Sequence, residues 1–117
     1  MTYESFDLHE MSPACGGVIE GIDLSQNLTN RQFDEIHEAL LDRTVIVFRD
    51  QDITPEQQVA FARRFGEPQP SSVSGFEKSK ENPEIDILEY DADNPPHVTR
   101  DLWHTDFVGT ERPTMGT

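Results

Sequence analysis

A single cysteine, a shortage of basic residues and the lack of any apolar run long enough to span a membrane set the first limits. Cys15 alone cannot form an intrachain disulfide, which fits a reducing, cytoplasmic compartment. Its neighbours Ala14, Gly16 and Gly17 offer no positive charge to lower the thiol's pKa, so a nucleophilic role is not expected. Lys and Arg number 9 against 23 Asp and Glu, a formal net charge of −14. So acidic a surface repels phosphate backbones and anionic lipid, and argues against nucleic acid and membrane as partners. The first ten residues carry acids but no basic or apolar run, and so lack the pattern of a signal peptide. Also missing are a glycine-rich dinucleotide or phosphate loop, a Gly-x-Ser-x-Gly elbow and a Cys-x-x-Cys pair. Hydrophobic residues make up only 34% of 117, which predicts one small domain with a modest or incomplete core.

What is present reads as an α/β arrangement. The opening segment to Pro13 has no period and is expected to drape over the surface. Gly16 to Leu24 is β-prone but broken by glycines, a strand ending near Gly21. Thr29-x-x-Gln32 has the form of a capping box, and Phe33, Ile36, Leu40 and Leu41 then fall on one helical face, with Asp34, Glu35 and Glu38 toward water. His37 lies on the flank of that face and reads as an ordinary helix residue. Thr44 to Phe48 is a continuous β-branched and aromatic run, the pattern of a strand covered on both faces. A second capping box, Thr54-Pro55-Glu56-Gln57, opens a helix that buries Val59, Phe61, Ala62 and Phe65 and stops at Gly66. Residues 67–83 read as a long loop, Ile85 to Leu88 as a strand, and Tyr90 to Pro96 as a turn-rich connector.

The connector leads into Leu102-Trp103-His104-Thr105-Asp106-Phe107. In extended backbone, residues i and i+2 face the same way, so His104 and Asp106 could grip one metal ion from a single strand. Imidazole plus carboxylate, with positions left open, is the ligand type of a non-haem iron site, which needs a further histidine. His97 is the nearest candidate, though a loop histidine is more often solvated. Trp103 and Phe107 could keep water from one side of the metal. For Trp103, a role as core anchor competes with substrate contact. Arg100 could draw in an anion, or pair with Asp101. By itself His-x-Asp is a weak signal, and a structural strand with a His–Asp hydrogen bond explains it equally well.

Three features occur together in order: Leu41-x-x-Thr-Val-Ile-Val-Phe-Arg-Asp-Gln51 with Ile53-Thr-Pro-Glu-Gln-Gln58, then Phe61-Ala-x-Arg-Phe-Gly-Glu67, then Asn94-Pro-Pro96 before Trp103-His-Thr-Asp106. From about Gly16 onward the chain resembles the taurine dioxygenase family of iron(II)- and 2-oxoglutarate-dependent dioxygenases. The resemblance implies a mixed α/β fold, the N-terminal part of a double-stranded β-helix (jelly-roll, cupin-like) with flanking helices, and residues 1–117 as a single incomplete domain. It implies His104 and Asp106 as two of three metal ligands, the third ligand and a 2-oxoglutarate-binding arginine being expected downstream of Thr117. Fe(II) as cofactor, 2-oxoglutarate as co-substrate, dioxygen and a small organic substrate follow from the same resemblance, with assembly into a homo-oligomer left open. The sulfonate-binding histidine and tyrosine of the taurine-specific pattern are replaced here by Ser71 and Ser74, and its asparagine by Arg100. The substrate is therefore open among sulfonates, sulfate esters and aryloxy acids, with Ser71, Ser74, Arg100, Trp103 and Phe107 as its candidate contacts. The competing reading is a non-catalytic α/β interaction or scaffold module.

Overall fold

A computed structural model describes residues 2–70, 77–93, 95, 103, 105 and 109–115. The chain divides into two compact units, Met1–Arg64 and Phe65–Thr117. The first runs β1 (Asp7–Glu10), β2 (Gly17–Glu20), α1 (Asn30–Arg43), β3 (Ile46–Phe48) and α2 (Pro55–Arg63). Its sheet has the order β1-β2-β3. β1 lies antiparallel to β2, with Leu8 opposite Ile19, and β3 parallel to β2, with Val18 opposite Val47. Parallel neighbours need a crossover, and α1 supplies it, so β2-α1-β3 is a βαβ unit with β2 at the centre.

The opening segment is more ordered than its sequence predicts. Asp7–Glu10 pairs along the edge of β2, and Tyr3 and Phe6 are buried with their rings stacked 4.8 Å apart. Leu8 is the one apolar residue of β1, so no alternation announces the strand; the partner edge creates it. Close approach explains a glycine here: a Cβ on Gly17 would stand 2.8 Å from Leu8 Cδ1.

Both capping boxes form. The Thr29 hydroxyl accepts the Gln32 N–H at 3.2 Å while Gln32 Oε1 accepts the Thr29 N–H at 2.9 Å. Thr54 and Gln57 repeat the exchange at the start of α2, with Pro55 in the first turn. Two otherwise orphaned amides are satisfied at each helix start, which fixes where the helices begin. The buried stripe of α1 differs from the expected face: it is Ile36, Ala39 and Arg43, at i, i+3 and i+7, and Leu41 is 68% exposed. Glu35, expected in water, is half-buried, whereas Asp34 and Glu38 are exposed as expected. In α2 Val59 is the buried residue, Phe61 is half-buried with its ring edge-on to Phe48 at 5.8 Å, and Ala62 is exposed. That helix ends on Arg64 in right-handed conformation, so Gly66 is not its cap.

The run from Thr44 to Phe48 yields a shorter and less covered strand than expected, three half-buried residues from Ile46 to Phe48. Thr44 instead caps α1 at φ 67° and ψ −37°, donating its N–H to the Leu40 carbonyl at 2.8 Å. A β-branched residue at positive φ is strained, at a cost on the order of 1–3 kcal/mol. Thr44→Gly is accordingly expected to raise stability by about 1 kcal/mol after the extra chain entropy of glycine is deducted. Thermal denaturation reads the change, and a fall in midpoint would mean that the threonine side chain contributes more than the strain it carries.

In the second unit, β4 (Glu77–Lys78) pairs antiparallel with β5 (Asp86–Ile87). A strand thus lies inside the stretch read as loop, and the strand expected over Ile85 to Leu88 is shorter. Ile85 donates to the Asn82 carbonyl at 2.9 Å and Ser79 to the Ile85 carbonyl at 3.1 Å, which closes a turn around Pro83. No helix among the described residues is long and apolar enough to cross a membrane.

Candidate metal centre

The pair at the heart of the expected site, His104 and Asp106, lies outside the described residues, as do His97, Ser71, Ser74, Arg100 and Phe107. Trp103 is described, and it is fully exposed, so it is not the core anchor that its size suggests. The connector before it turns through Asp91, whose carboxylate accepts the Asp93 N–H at 2.9 Å. This side-chain mimic of a turn is what its Asp- and Pro-rich composition predicts.

Whether the chain offers a rival centre can be asked of the described residues. None of them forms a group of three or more His, Cys, Asp or Glu able to hold a metal ion. His9 Nε2 stands 3.4 Å from the Glu20 carboxylate across β1 and β2, both side chains exposed. His37 stacks on Phe33 at 6.2 Å along α1, in keeping with an ordinary helix residue. Cys15 is exposed, its amide bonded to the Ser12 hydroxyl at 3.1 Å. The donor chemistry of His104 with Asp106, neutral nitrogen plus anionic oxygen, suits divalent iron.

Several polar residues hold the first unit together through long-range bonds that the sequence does not announce. Arg43 is buried and donates to the Ser12 carbonyl and, at 3.4 Å, to the Gly16 carbonyl, with the Glu10 carboxylate 3.6 Å away. Its own carbonyl accepts the Gly16 N–H at 2.8 Å, so one residue secures the β1–β2 connection through both backbone and side chain. Gln51 accepts the Leu24 N–H at 2.8 Å and donates to the Ile22 carbonyl at 3.0 Å. Gln57 donates to the Ser25 carbonyl at 3.1 Å. Together the two glutamines fasten the segment after β2 to the start of α2. Beside Gln57 lies a cleft of about 260 Å³ lined also by Leu24, Leu28, Phe61 and Arg64 among others. Arg64 is committed within it, donating to the Leu28 carbonyl and Asn30 and lying 4.6 Å over the Phe33 ring. The cleft is smaller than ordinary ligand pockets, and Gln57 and Arg64 in its wall are already engaged in holding the loop.

Carboxylates in this unit are tuned by hydrogen bonds. The Ser5 backbone N–H, ahead of the Arg31 guanidinium, holds Glu35 below the usual carboxylate range. Asp23 is held low by the hydroxyl and N–H of Ser25. Burial pushes the Tyr3 hydroxyl up, assisted by the negative charges of Asp42 and Glu38.

Comparison with known proteins supplies the missing context. The (S)-phenoxypropionate/α-ketoglutarate dioxygenase of Sphingobium herbicidovorans is 39% identical over 62 residues, 53% of this chain and 21% of that protein. The α-ketoglutarate-dependent 2,4-dichlorophenoxyacetate dioxygenase of Cupriavidus pinatubonensis is 38% identical over 56 residues, 48% of this chain and 20% of that protein. A crystal structure of a taurine dioxygenase from Burkholderia xenovorans superimposes with a TM-score of 0.55 at 38% identity, covering 61% of this chain and 26% of that one. The chain therefore spans about a fifth of the length of these curated relatives. Residues 7–117 match the profile described as "Taurine catabolism dioxygenase TauD, TfdA family", and the chain belongs to that family.

Proposed function

We propose that the chain is part of an iron(II)- and 2-oxoglutarate-dependent dioxygenase that hydroxylates a small organic acid. The observation that carries this is the family match over residues 7–117, which takes in the Trp103-His-Thr-Asp106 motif. The mixed α/β first unit, together with the similarity of 61% of the chain to the taurine dioxygenase structure, supports the finer reading of residues 1–117 as the beginning of a jelly-roll oxygenase domain. Iron(II) with 2-oxoglutarate, when bound, would supply the oxidising chemistry, dioxygen being consumed and succinate and carbon dioxide released. His104 and Asp106 would hold the metal from one side, the imidazole as neutral donor and the carboxylate offsetting part of the positive charge.

For the substrate, aryloxy acids come first, because two relatives act by name on phenoxypropionate and dichlorophenoxyacetate. Arg100 would meet the carboxylate, Ser71 and Ser74 would offer hydroxyl donors, and Trp103 and Phe107 an apolar wall for the ring. Hydroxylation at the carbon beside the ether oxygen gives a hemiacetal or hemiketal, which expels the phenol and leaves a carbonyl on the acid. A lone exposed thiol is compatible with a reducing compartment.

The complete protein, supplied anaerobically with iron(II), 2-oxoglutarate and an aryloxy acid and then with air, is expected to form succinate from the 2-oxoglutarate and phenol from the aryloxy acid in equal amounts. Release from taurine instead would move the substrate to the sulfonates. No substrate-dependent succinate from aryloxy acids, sulfonates or sulfate esters would favour the non-catalytic reading.

A further inference from the structure

The segment before β1 is attached to α1 in an unusual way. One oxygen of Glu35, Oε2, accepts two successive backbone amides, Glu4 N–H at 3.1 Å and Ser5 N–H at 2.8 Å. The other oxygen accepts Arg31 Nε at 3.1 Å, and Arg31 reaches back to the Glu4 carboxylate. Among these three charged side chains only Glu35 is shielded, at 15% exposure against 60% for Arg31 and 73% for Glu4. Exposed ion pairs contribute little, whereas charge-assisted bonds to a shielded carboxylate are strong, so among these charged groups Glu35 carries most of the attachment, beside the burial of the segment's aromatic rings. On either side of these amides sit Tyr3 and Phe6, buried and stacked on each other.

We propose that residues 2–6 form a detachable strap on α1, latched by the Glu35 carboxylate, which opens as a unit while β2, α1 and β3 stay folded. The inference is independent of any catalytic role. Its limit in the chain is set by the sheet: backbone pairing begins at Asp7, opposite Glu20, and before that point no strand ladder holds the chain. A segment fastened by side chains opens at a lower free energy than one within a ladder. Glu4 and Arg31 face Glu35, while Glu35, Glu38 and Asp42 lie near the Tyr3 hydroxyl with Arg43 as the opposing cation. Glu35, held low by the amides it accepts, keeps the strap closed at neutral pH; that contribution is lost as pH falls through its lowered folded value.

Opening bares Tyr3 and Phe6, two aromatic cleavage points for a chymotrypsin-type protease. In the full chain, Glu35→Ala is expected to speed hydrogen exchange at the Glu4 and Ser5 amides by about tenfold or more, and chymotryptic nicking at Tyr3 and Phe6 in parallel. The Ala39 amide in α1 should keep its protection in that variant. Glu4→Ala, which removes only the exposed tie to Arg31, should change either rate by less than about twofold. In the unmodified chain, exchange at Glu4 and Ser5 should be nearly independent of low denaturant, while exchange at Ala39 should follow global unfolding. Unchanged exchange at Glu4 and Ser5 in Glu35→Ala would overturn the proposal. So would a loss of protection spread evenly over β2 and α1, or a denaturant dependence at Glu4 and Ser5 equal to that at Ala39.

Discussion

Truncating Ile36 to alanine is expected to destabilise the chain by about 3 kcal/mol and to lower its thermal midpoint by roughly 10 °C. Ile36 is the largest fully buried side chain among the described residues, at 0% exposure, in the middle of the buried stripe of α1. Its loss removes the transfer free energy of three carbons and leaves a cavity that Ala39, the next residue of the stripe, is too small to fill. Ile36→Val should cost about 1 kcal/mol, because a single methylene is lost. Leu41→Ala discriminates further. The periodicity of the sequence places Leu41 on the same apolar face, whereas the structure leaves it mostly in solvent, so its truncation should fall within about 0.5 kcal/mol. Equal losses at Ile36 and Leu41 would mean that α1 is rotated relative to the stripe described above.

That contrast shows what can be read from the chain and what cannot. Both helix starts were legible because a capping box is local: Thr29 with Gln32 and Thr54 with Gln57 satisfy their own amides whatever packs nearby. The face each helix buries depends on what covers it. Apolar counting overlooked Arg43, whose stem is buried while its guanidinium finds two carbonyls, and overvalued Leu41. β1 gave no signal because its pairing comes from the free edge of β2, and the strain at Thr44 that shortens β3 is invisible to β propensity. Gln51 and Gln57 are long-range staples, joining residues far apart in sequence, which no short motif marks. At the candidate site the ordered set of motifs was legible as a family, whereas the spacing of His104 and Asp106 by itself was not, and their role as metal ligands is proposed from the resemblance. The bulk of Trp103 suggested burial that it does not have.

Replacing His104 by alanine in the complete protein is expected to weaken iron(II) binding more than a hundredfold and to abolish substrate-dependent succinate release. The magnitude follows from a comparison: removing groups that merely orient a metal ligand costs about 10–100-fold, and a ligand itself contributes more. Asp106→Asn should weaken binding too, since a neutral amide keeps the shape but gives up the charge that stabilises a divalent cation. Two controls separate a ligand from an ordinary histidine. His37 stacks on Phe33 within α1, so His37→Ala should leave iron binding unchanged. His97, seven residues before His104, is the one other histidine close enough in sequence to compete for the same ion. If His97→Ala weakens binding as much as His104→Ala, the chain supplies three ligands from a single stretch, and the need for a distant histidine falls away. If His97→Ala is silent while His104→Ala and Asp106→Asn are not, the two ligands of the His-x-Asp motif act together, and the third must come from a part of the protein that this stretch does not contain.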